Sequence, residues 1–274
     1  MTDQLNASNP AKPTSLGRAF QQISSLTAIS RIVGFMRDIA FASFLGAGPA
    51  ADAFLVALKL PNMFRRLSAE GAMTNAFLPS FAKIRETDGR DVALRLASEV
   101  QIFLIVALFA IVVLAEIFMP EVIALLAPGF AATPDRLAAA VDLARVTMPY
   151  LPMISVVALW GAIANAHDRF MAAAATPILA NLCFITGAIS IPILAADLGM
   201  FKALPIAIGL LVAGFCQLLF LFFVLRRLSA VPKLQWPRLS NAGKTMWRKF
   251  LPAALGAGGM QLNLLVDLIL ASML

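Results

Sequence analysis

Runs of mostly apolar residues, long enough to cross a bilayer, recur along this sequence, and the cleanest extends from Leu96 to Met119. A helix needs about 20 such residues to span the hydrocarbon core. Because an open sheet cannot satisfy its backbone hydrogen bonds in lipid, these runs are expected to be helical. Hydrophobic residues make up 60% of the 274 positions and charged residues 14%, against about 45–50% and about 25% in soluble domains. We therefore predict an all-α polytopic membrane protein.

Seven helical spans are predicted from the apolar runs and from the turn residues between them. They cover Phe20–Leu45, Ala51–Phe81, Leu96–Met119, Leu137–Ala166, Met171–Ala195, Leu204–Leu225 and Leu251–Leu274. A kink is expected near Pro61, whose ring removes a backbone donor. The polar segment 1–19 is predicted to be a disordered tail. Because the first apolar run carries charges, we expect no cleaved signal peptide.

The distribution of lysine and arginine predicts the orientation of the chain. Fourteen of the 22 basic residues fall in the tail and in the loops after the second, fourth and sixth spans. Only Arg136 and Lys202 fall in the loops on the other side. Since basic loops stay on the cytoplasmic side, we predict a cytoplasmic N-terminus. Topology thus accounts for the net charge of +7, and no nucleic-acid partner is predicted.

Basic residues at or near membrane depth are concentrated in the first two spans. They are Arg31, Arg37, Lys59, Arg65 and Arg66, with Arg145 further along the chain. A charge at the bilayer centre costs at least about 2.5 kcal/mol, so these side chains should face protein or a water-filled cavity. The acids Asp38, Asp52 and Glu70 can neutralise part of this charge. The positive surplus should attract an anion.

Arginine predominates among these cations, and its planar fork binds phosphate oxygens in pairs. A phosphate or pyrophosphate is therefore the predicted guest of the cavity. Arg31 and Asp38 are seven residues apart, so they share a helix face. The alternative interpretation is a set of internal salt bridges, together with side chains that extend their charges towards the membrane surface.

No catalytic constellation is visible in the sequence. The single histidine, His167, lies in a short basic loop, where a solvated side chain is expected. Cys183 and Cys216 lie in apolar runs, and we interpret them as small core residues rather than a disulfide or a metal site. We therefore predict neither an enzyme nor a resident cofactor.

Several motifs resemble those of the lipid II flippases of the MurJ (MviN) family. The run Ser30–Asp38 is similar to the opening signature of that family, and Gly46–Gly48 with Ala51–Phe54 continue it. Further matches are Lys59–Leu67, Ala69–Ala72, Ala76–Pro79, Gly161–Ala166 with Arg169–Phe170, and Thr176–Leu179 with Asn181. The resemblance extends over residues 20–274 and is most specific in the first two spans.

The resemblance implies a transporter of the MOP exporter superfamily, built from two six-helix lobes around a central cavity. It implies that lipid II, the undecaprenyl-pyrophosphate-linked peptidoglycan precursor, crosses the bacterial inner membrane by alternating access. Arg31, Arg37 and Arg65 are then expected to bind the pyrophosphate. The expected cavity and gating residues are Asp38, Asp52, Asn62, Arg66 and Glu70. Asp267 matches an acidic position of sodium-linked members, which implies a sodium ion as coupling ion.

This sequence is shorter than such a two-lobe flippase. We divide it into the tail 1–19, a six-helix N-terminal lobe 20–227, a basic cytoplasmic linker 228–250 and helix 251–274, the first of the second lobe. The linker is interpreted either as an amphipathic stretch on anionic headgroups or as a loop that only fixes topology. Expected partners are lipid II, membrane lipids and the C-terminal lobe. The alternatives are a polysaccharide-unit flippase or multidrug exporter of the same superfamily, or a non-transporting half-length membrane protein.

Overall fold

The computed structural model describes residues 13–65 and 76–234 and isolated positions between 236 and 270; for residues 13–23 and 64–65 it describes the backbone alone. Every regular element in this part of the chain is helical, as predicted. The α-helices are α1 (Pro13–Ala40), α2 (Pro49–Arg65), α3 (Leu78–Thr87), α4 (Arg90–Ile117), α5 (Met119–Leu126), α6 (Pro134–Thr147), α7 (Tyr150–Ala166), α8 (Phe170–Ile189), α9 (Ile191–Leu194) and α10 (Leu204–Arg227).

The first helix is longer than the sequence pattern predicts. It begins at Pro13, within the segment 1–19 that the sequence pattern assigns to a tail. Proline suits a first helical turn because its φ is preset and its missing N–H would be unpaired there in any case. A π-helical turn, Phe41–Leu45, continues α1 and ends at Gly46. Gly46 has φ +74°, a left-handed conformation that glycine adopts without strain.

A proline divides one of the predicted spans, and two others are only partly described. The predicted helix Leu137–Ala166 is two helices, α6 and α7, which are separated at Pro149. The predicted helix Ala51–Phe81 corresponds to α2, which contains Pro61, and to α3, which continues to Thr87. Its middle, residues 66–75, lies outside the described residues, as does most of the predicted helix Leu251–Leu274.

Four helical segments of the described chain are long and apolar enough to cross a membrane. They are Arg90–Ile117, Pro134–Ala166, Phe170–Ile189 and Gly199–Arg227. They correspond to four of the seven predicted spans. The helices α1 and α2 are not in this set: α2 has 17 residues, and α1 carries Arg31, Arg37 and Asp38. Their predicted roles as spans stay predictions.

Close backbone contacts hold α8 against α10. A Cβ atom on Gly209 would lie 2.8 Å from the carbonyl oxygen of Cys183, and one on Gly187 would lie 2.7 Å from that of Pro205. Small residues at such crossings let two helices approach closely, which is how helices associate in membranes. On the other side of α8 lies α1, while α2 packs against α6. These helices enclose the site described below.

Candidate functional site

A cavity of about 580 Å³ lies between α1, α2, α7, α8 and α10. Apolar side chains form much of its wall. Its polar lining consists of Arg37, Asp38, Asn62, Tyr150, Asn165, Thr176, Asn181 and Gln217. The buried Oδ1 atom of Asn165 has no hydrogen-bond partner within the described residues. A few convergent polar groups in an otherwise apolar pocket are typical of a ligand site.

Arg37 lies at this cavity in the last turn of α1. Its Nε and Nη2 atoms donate to Oδ1 of Asp38 over 3.0 and 2.8 Å, and its Nη1 atom donates to Oδ1 of Asn181 over 3.1 Å. A guanidinium has five N–H donors, so these bonds leave one N–H on each terminal nitrogen. Arg37 can therefore keep its protein partners and still donate to an anion.

A chain of buried hydrogen bonds connects three of the helices around the cavity. The hydroxyl of Tyr150 on α7 donates to Oε1 of Gln217 on α10 over 3.2 Å. Nε2 of Gln217 donates to the carbonyl oxygen of Thr176 on α8 over 2.8 Å. Pro177 cannot donate a backbone hydrogen bond to Ala173, and the Thr176 hydroxyl donates to that carbonyl oxygen instead, over 2.9 Å. The polar residues thus fix the local shape of α8.

The structure brings together only some of the residues predicted for the site. Arg37, Asp38 and Asn62 line the same cavity. Arg31 is exposed on α1 and is not among the lining residues of this cavity. The backbone of Arg65 ends α2, but its side chain lies outside the described atoms. Arg66, Glu70 and Asp267 lie outside the described residues, so their predicted roles stay predictions.

Asp52 pairs with a residue that the sequence analysis placed elsewhere. Its Oδ2 atom lies 2.6 Å from Nη2 of Arg136, and the Arg136 guanidinium stands 4.0 Å from the ring centre of Phe130. Arg136 was expected to be a loop cation, but it lies in the first turn of α6 with 25% of its side chain exposed. The expectation that Asp52 neutralises a cation of the first two helices is therefore wrong, because α6 packs beside α2 and supplies its partner.

The prediction for His167 is also corrected by the structure. Its ring is half-buried, its Nδ1 lies 2.8 Å from the carbonyl oxygen of Ile163, and it packs on Phe81. It is not a solvated loop side chain, because it caps the end of α7. Within the described residues, no three histidine, cysteine or acidic side chains are grouped as metal ligands.

The sequence analysis missed two lining residues, Tyr150 and Gln217, and gave Asn181 no role. All three stand as isolated polar or aromatic-hydroxyl residues within apolar runs. That isolation was the available signal, since a polar group at membrane depth requires a partner. It does not identify the partner, which depends on how the helices pack.

Comparison with known proteins gives one family. Residues 41–274 match the family model described as lipid II flippase MurJ. A probable lipid II flippase MurJ of Rhizobium meliloti (strain 1021) is 36% identical over 259 residues, which cover 94% of this chain and 48% of that protein. The chain thus spans about half the length of the curated relatives that it matches.

Solved structures show the same fold. A structure titled lipid II flippase MurJ, inward closed conformation, superposes with a TM-score of 0.71 at 24% identity, over 92% of this chain and 50% of that one. A crystal structure of MATE in complex with MaD3S superposes with a TM-score of 0.70 at 16% identity, over 89% and 54%. The described helices therefore have the fold of one half-length lobe of a MOP-type transporter.

Proposed function

Because the chain belongs to the lipid II flippase MurJ family, we propose that it forms the first lobe of a flippase that moves lipid II across the inner membrane. The family is one of transporters rather than enzymes. Together with the family, the apolar helices of this chain point to a multi-pass inner-membrane protein. The observation that carries the proposal is the position of Arg37 at a polar cavity between five helices. The substrate would be the diphosphate-linked precursor that gives the family its name.

The chemistry of Arg37 suits a diphosphate. The protein contacts of Arg37 leave two of its N–H groups unused, one on each terminal nitrogen. Both N–H groups can therefore donate to oxygens of one phosphate group. Arg31 and Arg65 would supply further charge, and the fixed positive charge of arginine persists in a partly dry site. Asp38, Asn62, Arg66 and Glu70 would shape the cavity around the headgroup.

Alternating access requires a second lobe that closes over the substrate. The side of α1 that carries Arg31 also exposes large apolar side chains: Ile32 is 61% exposed, Phe35 66% and Met36 54%. A surface that alternates charge with large apolar groups suits a protein partner next to a cavity better than lipid alone. We propose that the C-terminal lobe covers this surface. The six-helix lobe then comprises residues 20–227, and the linker comprises residues 228–250.

We propose a sodium ion as coupling ion, held in part by Asp267. Hard cations prefer oxygen ligands, and one carboxylate is too few, so the other ligands would come from the C-terminal lobe. Asp267→Asn should then reduce the sodium dependence of transport without abolishing substrate binding. The measurement is transport, at graded sodium concentrations, into vesicles that hold the chain together with a C-terminal half from a relative; equal sodium dependence with and without the substitution contradicts the assignment.

Complementation tests the diphosphate assignment. The variants are made in 1–274 and co-expressed with a C-terminal half from a relative. Cells depleted of their own lipid II flippase should not grow on Arg31→Ala, Arg37→Ala or Arg65→Ala, whereas Arg37→Lys should support slow growth because a point charge cannot reproduce the fork. Arg85→Ala on α3 is the matched control and should grow normally. If the cavity variants complement as well as the control at equal protein levels, the pyrophosphate assignment is wrong.

A second complementation experiment tests the need for two lobes. Residues 1–274 expressed alone should not support growth, and co-expression with a C-terminal half from a relative such as that of Rhizobium meliloti should restore it. Growth on 1–274 alone would contradict the alternating-access proposal. It would instead favour a transporter formed by a homodimer of this lobe.

A further inference from the structure

The second anchor of Arg37 is a neutral side chain from another helix. Asn181 lies on α8, is 8% exposed, and accepts a hydrogen bond from Nη1 of Arg37 through its Oδ1 atom. Asp38 binds the opposite edge of the guanidinium from the same helix, and its side chain is 61% exposed. The buried amide, rather than the exposed carboxylate, thus connects Arg37 to the rest of the lobe.

The surroundings of Asn181 restrict its position. It follows Pro177 by one helical turn, where Gln217 and the Thr176 hydroxyl hold the backbone carbonyl groups of Thr176 and Ala173. On the α1 side, a Cβ atom on Gly34 would reach 3.5 Å from the Asn181 Nδ2 atom, so the two helices are in contact there. A side chain packed on both sides and buried cannot follow Arg37 if the arginine turns.

The neutrality of Asn181 has a chemical consequence. A carboxylate at this position would bind the guanidinium more strongly, but it would cancel a charge that an anionic ligand needs. An apolar side chain would preserve the charge and leave Nη1 without its acceptor, and the arginine would then lose its fixed orientation. An amide oxygen is the acceptor that orients the fork without neutralising it.

We propose that Asn181 is a positioning residue, which fixes the plane of the Arg37 guanidinium so that its remaining N–H groups face the cavity. The inference rests on the proposed diphosphate function, since it assigns Asn181 to the same site. Asn181 acts through Arg37 and does not touch the ligand. Its removal should therefore matter only while Arg37 is present.

A double-mutant cycle tests this dependence. The full chain is purified in lipid nanodiscs, and the binding of farnesyl pyrophosphate is compared with that of farnesyl monophosphate. Asn181→Leu, nearly isosteric, should weaken diphosphate binding about tenfold, the effect of losing one hydrogen bond to a charged group. In an Arg37→Ala background the same substitution should change nothing. Thr186→Val, an isosteric change on the exposed side of α8, is the control and should bind as the unmodified protein does.

A ligand-free measurement separates this inference from the proposed function. The side-chain ¹⁵N resonances of Arg37, assigned by their loss in Arg37→Lys, should be split by hindered rotation in the unmodified protein. In Asn181→Leu the split resonances should merge. In Asn181→Asp, which retains an oxygen acceptor, they should stay split. If the unmodified protein does not bind the diphosphate, the proposed function is contradicted. The resonances of Arg37 would still decide whether Asn181 orients the guanidinium. Equal weakening by Asn181→Leu with and without Arg37, or unchanged resonances, overturns the inference.

Discussion

The carboxylate of Asp52, in the first turn of α2, lies 2.6 Å from the guanidinium of Arg136, in the first turn of α6. The two residues are 84 positions apart in the sequence. Arg136 also stacks on Phe130, and its buried Nε atom has no partner within the described residues. One pair thus fixes the start of two neighbouring helices. It acts at the end of α2 opposite to Asn62 and the cavity.

Breaking this pair should destabilise the lobe. Arg136→Gln should cost about 1 kcal/mol, because the pair is only partly shielded from solvent, and Asp52→Asn should cost a similar amount. The charge exchange Asp52→Arg with Arg136→Asp should recover part of the loss. Thermal unfolding in detergent, followed by tryptophan fluorescence, measures these effects. Arg226→Gln, at the exposed end of α10, is the matched control; an equal shift in the control would show that net charge matters rather than the pair.

Two glycines should respond to alanine with opposite signs. At Gly209 the new Cβ would meet the carbonyl oxygen of Cys183 at 2.8 Å, so α8 and α10 must separate, at a cost of about 1–3 kcal/mol. At Gly161 the nearest atom is the Cβ of Ala173 at 3.5 Å, an ordinary contact, and alanine should stabilise the helix by up to about 1 kcal/mol. In the same unfolding assay, only Gly209→Ala should lower the melting temperature. Equal shifts would contradict the close helix crossing.

Single cysteines test the proposed cytoplasmic N-terminus. Cys183 and Cys216 are first replaced by alanine. Thr133→Cys and Thr87→Cys then introduce exposed thiols, before α6 and at the end of α3 respectively. An impermeant thiol reagent added to intact cells should label Thr133→Cys and not Thr87→Cys, and permeabilised cells should show labelling of both. The reverse pattern would invert the orientation.

The linker after α10 should be docked on α4 rather than spread on lipid. The Lys233 amide donates to Oγ of Ser98 over 2.9 Å, and the Ser240 amide and hydroxyl donate to the buried carboxylate of Glu99 over 3.2 and 2.8 Å. Mild oxidation of the double variant Ser98→Cys with Lys233→Cys should therefore give an internal disulfide. Trp236, which is 82% exposed, supplies the control pair Ser98→Cys with Trp236→Cys, which should stay reduced. Absence of a crosslink in the first pair would favour a linker on the headgroups.

The sequence predicted those parts of the fold that depend on local composition. The spans that became α4 and α10 are mostly apolar and have basic residues at one end, so their existence and approximate bounds are confirmed. The break at Pro149 was missed because proline also occurs within helices, as Pro61 and Pro177 do here. Whether a proline ends a helix depends on which neighbouring groups donate hydrogen bonds to the carbonyl groups that the proline leaves unpaired.

Partners across the lobe could not be predicted, because they depend on packing. Arg37 was expected at a cavity and lies at one, since a charged group in an apolar segment has few alternatives. Its contact with Asn181 and the contact of Glu99 with Ser240 connect residues 144 and 141 positions apart. No periodicity within one helix contains that information. The same reason explains why Arg136 was assigned to a loop.

The distance along the chain between Arg37 and Asn181 also determines when the two can meet. A ribosome adds about 5–20 residues each second, so the 144 residues that follow Arg37 up to and including Asn181 take roughly 7–30 s to synthesise. During that interval Asp38, which emerges directly after the arginine, is the acceptor at hand, and it can lower the cost of inserting an unpaired cation. The adjacent carboxylate is therefore the first of the two acceptors that the arginine can meet. The amide of Asn181 can bind the opposite edge of the guanidinium only after α8 has been synthesised.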